Sequence, residues 1–275
     1  MKKSLISEGL IDLVLRAGKL ALETRQKNKL TIDEYKDGHD NWRTNAEVSI
    51  TKLLQGNLDG LLPCWQLKSE DNNCSYIGQG KELVVDEIDG TNNYTNGLDN
   101  WAISLGLIDN GQPVAGIVYL PDRDLVIWGE SGCGVWGLKP KNQSSLGLFL
   151  ELAGVDSLAK ARGTFDFTYQ HDARELQWTK NAAGELLYKV KSLSKFICQV
   201  VGVLEIVFGR ADFFFHLKTK PWDMAAVVAI ATQVGVKVYD LNGQPYCLGQ
   251  EQILIANGQV PVDEILSIIR AVEPK

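Results

Sequence analysis

The stretch that decides the reading of this chain is Val84 to Tyr94, VVDEIDGTNNY. The apolar run Leu83-Val84-Val85 ends in Asp86, and Asp89, Gly90 and Thr91 follow. A short buried strand that stops at an acid and then turns through glycine places two carboxylates at a strand's carboxyl end. Two such groups in a partly buried turn repel each other unless a cation sits between them. Ligands that are all oxygen suit Mg²⁺ or another hard ion better than zinc. Gly90 lets the backbone approach closely, and the amides of Gly90 and Thr91 could hold a phosphate oxygen.

Each of these residues also has a plainer reading. Asp86 and Asp89 could be turn formers, because aspartate is common in turns. Thr91 could cap a helix beginning at Asn92 while its hydroxyl holds a water. Farther along, Asp223 in Pro221-Trp222-Asp223-Met224-Ala225-Ala226 could be the N-cap of the helix that follows, a role compatible with metal ligation through its other oxygen. Glu70, in Ser69-Glu70-Asp71, would on its own be a surface acid.

Taken together, the segments resemble the inositol monophosphatase superfamily. DEIDGTNN is similar to that family's signature DPIDGTTN, Trp222-Asp223-Met224-Ala225-Ala226 to its WD-x-AA, and Glu70-Asp71 to its acidic pair after an earlier strand. Thr44-Asn45-Ala46-Glu47 resembles its T-x-x-D more weakly. The order and spacing fit over about residues 10–260. The resemblance implies a layered αβαβα sugar-phosphatase-like fold of the α+β and α/β kind, with an antiparallel N-terminal sheet and a mixed C-terminal sheet. It implies a Mg²⁺-dependent, lithium-sensitive phosphomonoesterase with two or three ions, acting on a small phosphorylated metabolite such as an inositol or sugar phosphate, and a homodimer. Glu70, Asp86 and the Ile88 carbonyl would hold one ion, and Asp86, Asp89 and Asp223 another. Gly90 and Thr91 would bind the phosphate. Thr91, with an acid partner at Glu47, would orient the attacking water, and Glu70 belongs to the same catalytic set.

The chain departs from the family pattern in four places. Glu87 replaces the signature proline, and Glu47 is one methylene longer than the family's Asp, which puts the polarisation of Thr91 in question. The position seven residues before Asp223, a Glu in members that act on inositol phosphates, is His216, and the family's Gly-Ser pair is not recognisable in Ser192 to Cys198. Two further readings stay open: a 3′(2′),5′-bisphosphate nucleotidase, and a catalytically weakened member that binds a phosphorylated ligand or a protein partner. His216 is expected to border the substrate and, with an ordinary pKa near 6.5, to make affinity pH-dependent.

Composition narrows the classes. A chain of 275 residues, 45% hydrophobic and 23% charged, has length enough for one large core or two domains. The expected division is residues 1–140, carrying Glu70 and the DEIDGT site, and residues 141–275, carrying WDMAA. A net charge of −6 argues against nucleic acid or an anionic membrane as partner. Five scattered cysteines without C-x-x-C spacing point to reduced thiols and a cytoplasmic protein. Gly132-x-Gly134-x-x-Gly137 matches the dinucleotide fingerprint literally. The residues after it, Leu138-Lys139-Pro140-Lys141, open no helix, so a pyrophosphate would have no helix N-terminus to sit on.

Periodicity predicts helices over 5–28, 47–54, 172–179, 195–208, 223–234 and 262–272. It predicts strands over 65–67, 83–85, 101–108, 114–119, 125–128, 163–165, 211–215, 236–239 and 253–256. Residues 36–40 and 72–81 read as loop, 132–137 as a glycine-rich turn and 139–150 as a linker.

Overall fold

The computed structural model describes residues 4–26, 30–34, 42–70, 78–142, 144–147, 154–167 and 173–274. The expected turn at 36–40, Asp71 and Cys74 lie outside them.

The chain opens with α1 (Glu8–Gln26), which buries Leu10, Leu13, Val14, Ala17 and Ala21 along one stripe. A short antiparallel pair, β1 (Ile32–Glu34) and β2 (Trp42–Thr44), leads into α2 (Asn45–Leu61). Then come β3 (Gln66–Ser69), β4 (Lys81–Asp89), the single turn α3 (Thr91–Thr95), β5 (Ala102–Asp109), β6 (Gln112–Leu120), β7 (Leu125–Glu130), β8 (Gly134–Lys139) and β9 (Ser144–Gly147). The second half runs β10 (Arg162–Phe165), α4 (Ala173–Leu187), β11 (Ser192–Lys195), α5 (Gln199–Val207), β12 (Phe213–His216), α6 (Pro221–Thr232), β13 (Lys237–Tyr239), β14 (Ile253–Ala256) and α7 (Val262–Ala271).

Among the described residues, β3 to β9 form a seven-stranded sheet in sequence order. It is antiparallel except for the parallel pair β3 and β4, so the expected antiparallel sheet is mixed at one edge. The second sheet has the order β11-β10-β12-β14-β13, parallel on one side of β12 and antiparallel on the other. One apolar core joins α1 and α2 to the first sheet, a second lies between the sheets around α5 and α6, and a third joins the second sheet to α4 and α7. The layers therefore read α, β, α, β, α.

Strand alternation assigns the faces. Leu83 and Val85 point toward α1 and α2, and Val84 toward α6. Likewise Phe213 and Phe215 face α4 and α7, while Phe214 faces α5 and α6.

Three expectations are corrected. Gly134 to Gly137, read as turn, is strand β8: Trp136 pairs with Trp128, and the chain reverses over Ser131 to Cys133. The expected linker contains β9, which carries the first sheet to Gly147. The helix expected from Lys195 begins at Gln199, because Ile197 takes a left-handed φ of 56° and breaks the run. Among the described residues no helix is long and apolar enough to cross a membrane.

Candidate active site

β4 runs straight through the signature to Asp89 rather than stopping at Asp86. Asp86 pairs with Ser104 of β5 and Asp89 with Ala102, so three steps on one strand face two on the other. That extra residue is a β-bulge. In a regular strand residues three apart point to opposite faces. Here Glu87 and Ile88 both turn toward α2, and Asp86 and Asp89 are left on the α6 side. The bulge is the local reason that D-x-x-D makes a pair.

Asp223 completes the group. It sits in the first turn of α6, where Lys220 rather than Asp223 is the N-cap. The Lys220 N–H donates to Asp223 Oδ2 at 3.0 Å. The helix comes close because its partners are small: a Cβ added at Gly106 would lie 2.4 Å from Ala225 Cβ, and one at Gly116 2.3 Å from the Ala226 carbonyl oxygen. As a result, carboxylate oxygens of Asp86, Asp89 and Asp223 all lie within 4.8 Å of one another, all buried.

Glu70 follows β3, and its N–H donates to the Val85 carbonyl, which places it beside the end of β4. It is not one of the three closest acids. Burial, and then the charge of Asp223, push its carboxyl well above the ordinary range. Burial and then Glu70 do the same to Asp86. Burial followed by Asp89 raises Asp223, and burial also raises Asp89. Three buried acids and the half-buried Glu70, all shifted upward and mostly by burial and one another's charge, lack positive charge, and hard cations are what oxygen donors of this kind accept.

Glu47 and Thr91 meet on the other side of the bulge. The Thr91 hydroxyl lies 3.0 Å from Glu47 Oε1 and 2.9 Å from the Ile88 carbonyl oxygen. Glu47 Oε2 accepts the Thr44 N–H at 2.5 Å and so caps α2. The extra methylene is absorbed, because one carboxylate spans from the helix cap to Thr91. Burial raises its pKa from 4.5 to about 7. Thr91 is the first residue of α3, and its N-cap is Gly90 at φ 85°. Glu87 faces away from the cluster, where Oε1 accepts from Thr51 at 2.6 Å and Ser69 at 2.5 Å.

His216 ends β12 and is fully buried. Its Nδ1 accepts the Lys218 N–H at 2.9 Å, which leaves the ring proton on Nε2, and among the described residues that nitrogen has no hydrogen-bond partner. Burial, then Lys195, hold its pKa down to about 3. The expected titration near 6.5 is therefore corrected: this imidazole is neutral at physiological pH.

Sequence reasoning missed Cys198 to Val200, which hydrogen-bond to acids of the cluster, and Asn93 and Asp166, which hold that segment in place. Asp166 follows β10 as Asp86 follows an apolar run, so the signal of a strand ending in an acid was present. Nothing in Phe196-Ile197-Cys198 announces a turn, because neither glycine nor proline marks it.

The profile of the inositol monophosphatase family matches residues 2–273. A fructose-1,6-bisphosphatase/inositol-1-monophosphatase of Aquifex aeolicus is 29% identical over 208 residues, 76% of this chain and 74% of that one. An IMPase of Thermotoga maritima superposes with a TM-score of 0.80 at 21% identity, over 95% of each chain. Staphylococcal inositol monophosphatase-1, in a LiCl-soaked inhibitory complex, does so with 0.80 at 19% identity, over 98% of this chain and 96% of its own. By its sequence from end to end, and with the fold to match, the chain belongs to the inositol monophosphatase family of phosphoric monoester hydrolases.

Proposed function

We propose that this chain is a Mg²⁺-dependent phosphomonoesterase for a small phosphorylated metabolite, an inositol or sugar phosphate. The observation that carries the reading is the convergence of Asp86, Asp89 and Asp223 within 4.8 Å, beside a Thr91–Glu47 contact of 3.0 Å. Glu70, Asp86, the Ile88 carbonyl, Asp89 and Asp223 would hold the ions. When bound, Mg²⁺ supplies positive charge against a phosphate dianion and acidifies water. The donor set fits it: all oxygen, buried and mutually repelling.

The chain's own residues then divide the remaining work. Thr91 has one hydroxyl proton and two acceptors nearby. With the Ile88 carbonyl taken up as a metal ligand, the hydroxyl would donate its hydrogen bond to Glu47. The Thr91 oxygen would then be free to accept a hydrogen bond from the attacking water, and as that water loses its proton to Thr91 the Thr91 proton would pass to the Glu47 carboxylate, so the two residues would act in series. The Gly90 and Thr91 amides would receive the phosphate oxygens at the turn into α3. His216, neutral and buried, would border the substrate without titrating alongside it.

The test is a phosphate-release screen over inositol phosphates, sugar phosphates, sugar bisphosphates and 3′-phosphonucleotides. It is run with Mg²⁺ and in excess chelator, on wild type and on His216→Gln. Release that depends on Mg²⁺, falls with millimolar lithium and shifts in KM but not in pH optimum with the His216 variant is expected. Full activity in chelator would sink the metal reading. Identical KM values across the panel would remove His216 from the substrate site.

A further inference from the structure

Three consecutive residues at the start of α5 hold two acids of the cluster. The Cys198 thiol and the Val200 N–H both donate to Asp89 Oδ2, at 3.0 and 2.6 Å. The Gln199 side-chain amide donates to Asp223 Oδ2 at 2.6 Å. The orientation of that amide is set from behind. The Thr219 hydroxyl donates to Gln199 Oε1 at 2.9 Å, so Nε2 is the end that faces Asp223.

The segment is itself tightly held. Asn93 Nδ2 reaches the carbonyl oxygens of Asn100, Phe196 and Ile197 at 2.6, 2.8 and 3.1 Å. The Cys198 N–H donates to Asp166 Oδ2 at 2.8 Å. Ile197 takes φ 56°, a left-handed conformation rare for a β-branched residue, so the surroundings impose this backbone rather than the residue choosing it. Gly90 permits the approach, since a Cβ there would lie 2.8 Å from the Asn100 carbonyl oxygen and 3.1 Å from Cys198 Cβ.

We propose that Gln199 and Cys198 are positioning residues: they fix the rotation and separation of the Asp89 and Asp223 carboxylates and so set how tightly this pair holds a divalent cation. The inference rests on the metal reading above. The physical ground is general: partners behind the ligands determine ligand orientation, and losing one weakens metal binding about 10–100-fold. Both would act through the acids they hold. Gln199 contributes through Asp223, and Cys198 through Asp89.

The experiment measures Mg²⁺ binding by calorimetry on the chelator-stripped full-length protein, with melting temperatures recorded with and without Mg²⁺. Gln199→Met keeps the length and removes the donor, and it should weaken Mg²⁺ binding about tenfold or more. Thr219→Val leaves every acid and Gln199 in place and frees the amide, and it should act in the same direction. Cys198→Ala should weaken binding, while Cys198→Ser, which restores a donor, should recover it. A merely structural role would lower the metal-free melting temperature and leave Mg²⁺ affinity alone. A folded Gln199→Met with wild-type affinity overturns the proposal. Should that variant not fold, wild-type affinity in Thr219→Val overturns it instead. Wild-type protein that binds no Mg²⁺ would instead overturn the metal reading on which the proposal stands.

Discussion

At the scale of one residue, Asp89 ties the acid cluster to the start of α5. It accepts from the Val200 backbone and the Cys198 thiol while standing in the acid cluster. Asp89→Asn keeps the shape and removes one charge from where a cation and a leaving group would meet. We expect kcat to fall at least about a hundredfold, the size of a single strong electrostatic contact, with the fold retained by circular dichroism. A folded variant with most of its rate would make Asp89 a turn residue only. Glu47 carries a double role of the same kind, as cap of α2 and partner of Thr91. Glu47→Gln can accept with only one of its two terminal atoms, so one of these contacts is lost. Rates should fall about a hundredfold, as for loss of a general base. Thr44→Ala, which weakens the cap alone, should cost about 1 kcal/mol of stability in urea unfolding. If Glu47→Gln loses stability but no activity, the carboxylate is a cap and nothing more.

The elements explain what could be read in advance and what could not. Leu83-Val84-Val85 and Phe213-Phe214-Phe215 are unbroken apolar runs, so the strands were legible, but which face each residue takes was not, since both faces are buried. The helical stripe of α1 was legible from its spacing. Three of the four clustered acids stood out because Gly90 and the Ala225-Ala226 pair framed them. The start of α5 was not legible, since its break is forced by Asn93 and Asp166 from distant parts of the chain. β1 and β2 escaped because three-residue strands leave no period to detect. β8 and β9 were hidden by glycine, serine and proline, which read as turn or linker. One element carries a direct prediction. α6 lies on β5 and β6 with no room for a methyl group, so Gly116→Ala drives Cβ into the Ala226 backbone. We expect about 1–3 kcal/mol of destabilisation from overpacking, and reduced activity with it, because the same helix carries Asp223. Wild-type melting temperature and rate would mean that α6 is free to shift outward.

The whole molecule holds its like charges at the junction of its layers, and pH acts on all of them together. Glu47 and Asp166 are each raised to about 7 by burial, from 4.5 and 3.8. The cluster acids move in the same direction. Between about pH 4 and 7 these acids bind more protons folded than unfolded; the one buried imidazole among the described residues, His216, works the other way but is outnumbered, so stability is expected to fall as pH rises through that window. We expect the chelator-treated protein to melt several degrees lower at pH 7.5 than at pH 5.5. Millimolar Mg²⁺ should remove most of the difference, because a bound cation takes over the role of those protons. A melting temperature that rises with pH in chelator would contradict the raised carboxyls.

The position of α6 between the two sheets also has a consequence in time. The surface it covers, including Val84, Gly106, Gly116 and Val118, belongs to strands synthesised about a hundred residues before it. During synthesis that face waits bare until residue 232 has emerged, which is the condition under which nascent chains stick to one another or to chaperones. Asp223 arrives with the same helix that closes the gap. On the metal reading proposed above, a nascent chain would become competent to hold a cation only as it stops being sticky, and a chain released early should be aggregation-prone and blind to Mg²⁺ at once.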